Sequence, residues 1–105
     1  MTLEELKVIL DKTELKVGYR QWPTGKAPDL PYILYYQENT DNLKADNQSY
    51  FKQINVTIEL YSNLKNIPAE TKLETILNHH KIEWDAFERF IEDEQMHEVM
   101  YQIIL

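Results

Sequence analysis

Three histidines are the side chains best suited to chemistry at neutral pH, because imidazole titrates near it and ligates metals. His79 and His80 are adjacent near the end of a helical stretch. Successive helix positions point about 100° apart, so the two rings do not converge on one small ion. The H-E-x-x-H spacing of a zinc site is absent, and a histidine near a helix C-terminus is favoured by the dipole alone. His97 lies between Met96 and Glu98, where a place on the sheet surface is expected. Glu92, Asp93, Glu94 and Glu98 form a local acidic cluster. It lacks the D-x-D-x-D-G order of a calcium loop and reads as a solvated turn between strands. Gly18 and Gly25 stand alone, which excludes a phosphate loop. No spacing suggests a Ser-His-acid arrangement. Asn47-Gln48-Ser49 and Asn55-Val56-Thr57 match the glycosylation sequon and read as chance matches in a cytoplasmic chain. No catalytic, cofactor-binding or metal-ligating residue is therefore expected, and an enzyme is the disfavoured class.

Composition narrows the classes further. The 105 residues suit a single domain, 1–105. Eleven Lys and Arg against eighteen Asp and Glu leave a formal charge of −7. That balance argues against sequence-independent nucleic-acid binding, which needs cations to neutralise phosphates. With no cysteine, disulfides, thiolate metal sites and thiol nucleophiles are excluded. No apolar run is long enough to span a bilayer. Glu4 and Glu5 stand where a signal peptide would carry basic residues, so a cytoplasmic location is expected.

The elements follow from periodicity. Thr2 and Glu5 form a capping-box pattern, and Leu3, Leu6 and Leu10 make one stripe, predicting a helix over 3–12. Leu15, Val17 and Tyr19 alternate with polar residues and Gly18, predicting a strand over 15–22. Residues 22–31 hold three of the four prolines and form a loop. Tyr32 to Tyr36 reads as a buried strand, and the polar stretch 37–49 as a long exposed loop of functional type. From Tyr50 to Tyr61, Ile54, Val56, Ile58 and Leu60 face a core, while Gln53, Asn55, Thr57 and Glu59 face water or another subunit. Asn66 and Pro68 open a helix over 67–80 with Ala69, Leu73, Ile76, Leu77 and His80 on one face. Strands are expected over 82–91 and from Val99 to Leu105, joined by a turn at 91–95. The order α-β-β-β-α-β-β predicts a two-layer α+β domain, a mostly antiparallel sheet with two helices on one face. Tyr32, Tyr35, Tyr36, Tyr50, Tyr61 and Tyr101 fall in or beside strands, where they serve core packing or subunit contact.

Several of these residues carry a family resemblance. Trp22-Pro23 leads into the proline-rich loop, followed by Leu30-Pro31-Tyr32-Ile33-Leu34-Tyr35-Tyr36. Ala45-Asp46-Asn47 precedes Tyr50, then comes Val56-Thr57-Ile58-Glu59-Leu60-Tyr61-Ser62, and the segment from Phe90 to Tyr101 closes the chain. Over nearly its whole length the chain resembles the small neck proteins of tailed phages and prophages of Gram-positive bacteria. The nearest functional class is the tail-terminator, or tail-to-head joining, proteins. The resemblance implies a ring, commonly a hexamer, that caps the tail tube of major tail protein and meets the head connector. It implies host cytoplasm during assembly and then the virion neck as location, with DNA passing through the ring without specific binding and no membrane involved. No cofactor is implied. Contacts with neighbours or the tube are expected at Asn39, Asp41, Asn42, Leu43, Lys44 and Asp46, at Gln53, Asn55 and Thr57, and at Trp22 and Lys26. Competing classes are a head-completion protein joining the portal and a small acidic mimic of DNA. Interspersed Lys and Arg weigh against the mimic.

Overall fold

A computed structural model describes the backbone of residues 1–45 and 49–105, and the side chains of residues 1–39 and 53–105. The elements are α1 (Leu3–Asp11), β1 (Lys16–Tyr19), β2 (Tyr32–Ala45), β3 (Ser49–Ser62), α2 (Ile67–His79), β4 (Trp84–Ile91) and β5 (Met96–Ile104). The fold is α+β, with the expected order of elements along the chain. Thr2 caps α1, accepting from the Glu5 N–H at 3.1 Å while the Glu5 carboxylate accepts from the Thr2 N–H at 3.0 Å. Asn66 caps α2 through Oδ1, which accepts from the Ala69 N–H at 3.0 Å.

The five strands form one sheet in the order β1-β2-β3-β5-β4. All neighbours are antiparallel except β1 and β2, which run parallel with Lys16 opposite Tyr32. The parallel pair follows from the 20–31 segment, which carries the chain back along the sheet instead of turning it in a hairpin. Partner residues across strands share a face, so the register separates two surfaces. Ile33 and Tyr35, then Val56, Ile58 and Leu60, then Val99, Tyr101 and Ile103 meet Leu6, Ile9 and Leu10 of α1 and Ala69, Leu73 and Leu77 of α2. This is the core, and the expected aliphatic face of β3 lies in it. Ile54 packs against its margin.

Two expectations need correction. The stretch 37–49 is not a long loop: β2 runs to Ala45 and β3 begins at Ser49, paired from Asn39↔Asn55 to Ala45↔Ser49. The sequence over 37–45 is mostly polar and shows no apolar alternation, so periodicity alone reads it as a loop. The second correction concerns the outer face. Thr57 and Glu59 are 2% and 8% exposed, and Glu98, read as part of a solvated turn, is fully buried. Tyr32 and Leu34 on the same face are also buried. Their cover is aromatic. Trp22 stands edge-on to Tyr32 at 5.4 Å, Tyr32 lies 5.4 Å from the Tyr61 ring, and the Arg20 guanidinium sits 4.7 Å over Tyr36. Gly18 makes room for Trp22, since a Cβ there would lie 2.7 Å from the indole.

Candidate functional site

The β2–β3 ribbon is the feature that departs most from a compact domain. β5 pairs with β3 only between Asn55 and Ser62, and β1 with β2 only between Tyr32 and Tyr35. Ile54 O still accepts from the Leu105 N–H at 2.9 Å, and beyond that point, among the described residues, no third strand pairs with either. The molecule accordingly measures 50 × 29 × 22 Å. A register shift between Gln37 and Asn39 marks a bulge at the root, the device by which strands bend out of a sheet. Glu38, at the bulge, accepts from Thr57 Oγ1 at 3.0 Å, and Asn55 Nδ2 donates to Asn39 Oδ1 at 3.1 Å.

Beside the root lies a groove of about 1280 Å³, bounded by Asn39, Asn55 and Thr57 on the ribbon side and by Lys81, Trp84 and Ile104 opposite. It thus gathers three of the expected contact residues. The backbone of Asp41, Asn42, Leu43 and Lys44 runs along β2 in the ribbon, their side chains lying outside the described residues, as does all of Asp46. Gln53 is half-buried in β3 near the root. Trp22 and Lys26 stand apart on the 20–31 segment. Lys26 is exposed, whereas the half-buried Trp22 is turned onto Gly18 and Tyr32, and Thr57 donates to Glu38.

Two groups of titratable residues were not legible as groups in the sequence. Glu70, Glu88 and His97 offer ligand atoms within 4.8 Å of one another. The Lys65 ammonium sits where a cation would, 2.9 Å from Glu70 and 2.6 Å from Glu88, and His97 Nε2 lies 3.0 Å from Glu88. Lys65, then His97, hold the Glu88 carboxyl below its usual range. This is an ion-pair network with its own lysine as the cation. His79 and His80 stack edge to face 5.1 Å apart, and neither belongs to it.

The second group lies on the outer face. Glu59 accepts from Tyr36 Oη at 3.2 Å and from Tyr61 Oη at 3.0 Å. Glu98 Oε1 accepts from Arg89 Nε, and Glu98 lies opposite Tyr61, on the same face as Glu59. Burial, reinforced by Glu98, pushes the Glu59 carboxyl up to about 7. Burial and the same two carboxyls push the Tyr61 phenol up. The register places Tyr61 opposite Glu98 and Arg89 opposite Glu98, and with Tyr36 of β2 four strands assemble this cluster from positions far apart in sequence.

No family model matches this sequence, and no curated protein matches it. Among the described residues, no helix is long and apolar enough to cross a membrane.

Proposed function

We propose that this chain is a structural protein of the phage head–tail neck, acting as a tail terminator that assembles into a ring, caps the tail tube and joins it to the head connector. The observation that carries the reading, beside the sequence resemblance, is the ribbon between Asn39 and Asn55 that leaves the sheet without a third strand. An isolated two-stranded ribbon is marginal in water and exposes rows of unpaired N–H and C=O groups. A neighbouring subunit or the tube would satisfy them. A head-to-tail contact of this kind closes into a ring when its rotation closes. The net charge of −7 suits a wall past which DNA slides, since like charges repel phosphate. Against the DNA mimic stands the burial of Glu59 and Glu98 and the engagement of Glu70 and Glu88 by Lys65, which leave no free carboxylate stripe among them. Enzymatic function is not part of this reading.

The test shortens the ribbon in register, because removing one strand would strand its partner. Residues 41–53 are replaced by an Asn-Gly turn closing the Thr40↔Ile54 pair, the loop that hairpins prefer. Circular dichroism should report an intact fold, light scattering a loss of the ring, and electron microscopy tubes of unregulated length. Tubes that keep regulated length with the shortened ribbon would refute the proposal. Normal tubes that fail to join heads would favour the head-completion role.

A further inference from the structure

We propose that a protonated Glu59 carboxyl donates to Glu98 in the folded protein, and that losing this proton as pH rises weakens the contact between β3 and β5. The argument begins with hydrogen-bond accounting. Glu98 is fully buried, and its Oε2 has no donor. A buried carboxylate oxygen without a donor is costly. Its nearby polar neighbour is the Glu59 carboxyl, whose two oxygens accept from Tyr61 and Tyr36. Two ionised carboxylates cannot bond each other. One protonated carboxyl can: it donates to Glu98 Oε2 and keeps accepting from a tyrosine. A single proton therefore satisfies the orphan and removes the repulsion of two buried like charges.

Among the described residues, no second cation is bonded to the pair. From β2 the pair faces Tyr32, Tyr36 and Glu38, from β3 Tyr61, from β4 Arg89, with Arg20 lying over the Tyr36 ring. Glu94 acts on Tyr32 from the β4–β5 turn. Among the described residues Arg89 is the one cation bonded to the pair, and its side chain is 61% exposed, so water screens its charge. The upward shift of Glu59 agrees with this picture. The sign follows by linkage. The folded state binds the proton more tightly than the unfolded chain. The stabilisation is complete below the ordinary glutamate range near pH 4 and is lost as pH rises through about 7.

Glu59→Gln is the decisive variant, because its amide donates to Glu98 Oε2 at every pH. Thermal melts of the full chain from about pH 5 to about pH 9 should show the wild-type Tm falling relative to the variant as Glu59 ionises. The variant should be the more stable of the two at the alkaline end. Carboxyl ¹³C NMR of the wild-type protein, which does not depend on the variant folding, should show a Glu59 resonance titrating near neutrality. Melting curves that stay parallel across the range, or a Glu59 carboxyl that titrates with ordinary glutamates, overturn the proposal.

Discussion

Both faces of the sheet bury residues near its centre, by different means. On the inner face, helices α1 and α2 lay leucines and an isoleucine onto aliphatic strand residues, and Ile33, Ile58 and Leu73 lose all exposure. On the outer face no helix is present. Tyrosines lie over Glu59 and Glu98, with Trp22 and Arg20 stacked on them, and Thr57 is bonded to Glu38, though Glu98 Oε2 is left without a donor. The difference teaches that strand alternation reports chemistry and not accessibility. A polar residue under an aromatic cover is as buried as an isoleucine under a helix, but it holds its place by hydrogen bonds whose net worth is smaller.

Four substitutions test that contrast. Ile58→Ala on the inner face should cost about 2–5 kcal/mol in chemical denaturation, the usual range for truncating a fully buried aliphatic side chain. A cost under about 0.5 kcal/mol, the scale of a surface change, would remove β3 from the core. Gly18→Ala acts on the outer cover by driving a methyl into the Trp22 ring. It should cost about 1–3 kcal/mol as an overpacking change, and tryptophan emission should shift as Trp22 leaves Tyr32. Unchanged emission would mean that the cover does not rest there. Tyr61→Phe keeps the ring but takes the donor from Glu59 Oε1, which should cost about 0.5–1.5 kcal/mol. Its pH effect has a definite sign: without that donor the ionised form is less favoured, so the Glu59 midpoint seen by NMR should move upward. Phe87→Ser, on the exposed stretch of β4, should change stability by less than about 0.5 kcal/mol. A larger loss would show that the outer face extends its cover across β4.

How much of this the sequence carries depends on what each residue packs against. Ile54, Val56, Ile58 and Leu60 announce their face because helices bury it and only apolar side chains fit there. Both helix starts are legible because Thr2, Glu5 and Asn66 cap through local bonds. The ribbon is not legible, since its pairing is made by backbone groups that every sequence possesses, and Asn, Asp and Gln over 37–45 imitate a loop. Glu98 looks like a member of the Glu92–Glu94 turn because they are neighbours in the chain. Only the β3–β5 register reveals that it belongs with Glu59 and Tyr61. His97 hides for the same reason, as its partner Glu88 sits on the adjacent strand. Of the expected contact residues, Asn39 and Asn55 meet at the ribbon root, Thr57 bonds Glu38, and Trp22 packs edge-on to Tyr32.

The seam between β3 and β5 also bears on how the chain folds. Each hairpin, β2–β3 and β4–β5, closes a short connection and can zip locally, whereas the seam pairs residues separated by α2 and β4, from Ser62↔His97 to Asn55↔Ile104. Contacts of such sequence separation lose much chain entropy before they gain anything, which makes them the slow step of small domains. The kinetic nucleus is therefore expected where the two hairpins meet around Ile58 and Tyr101, which face each other across the seam. The distal ribbon, by contrast, can lengthen or shorten with little influence on how fast the domain forms. A chain built in this way can vary its protruding arm while keeping the folding route of its body.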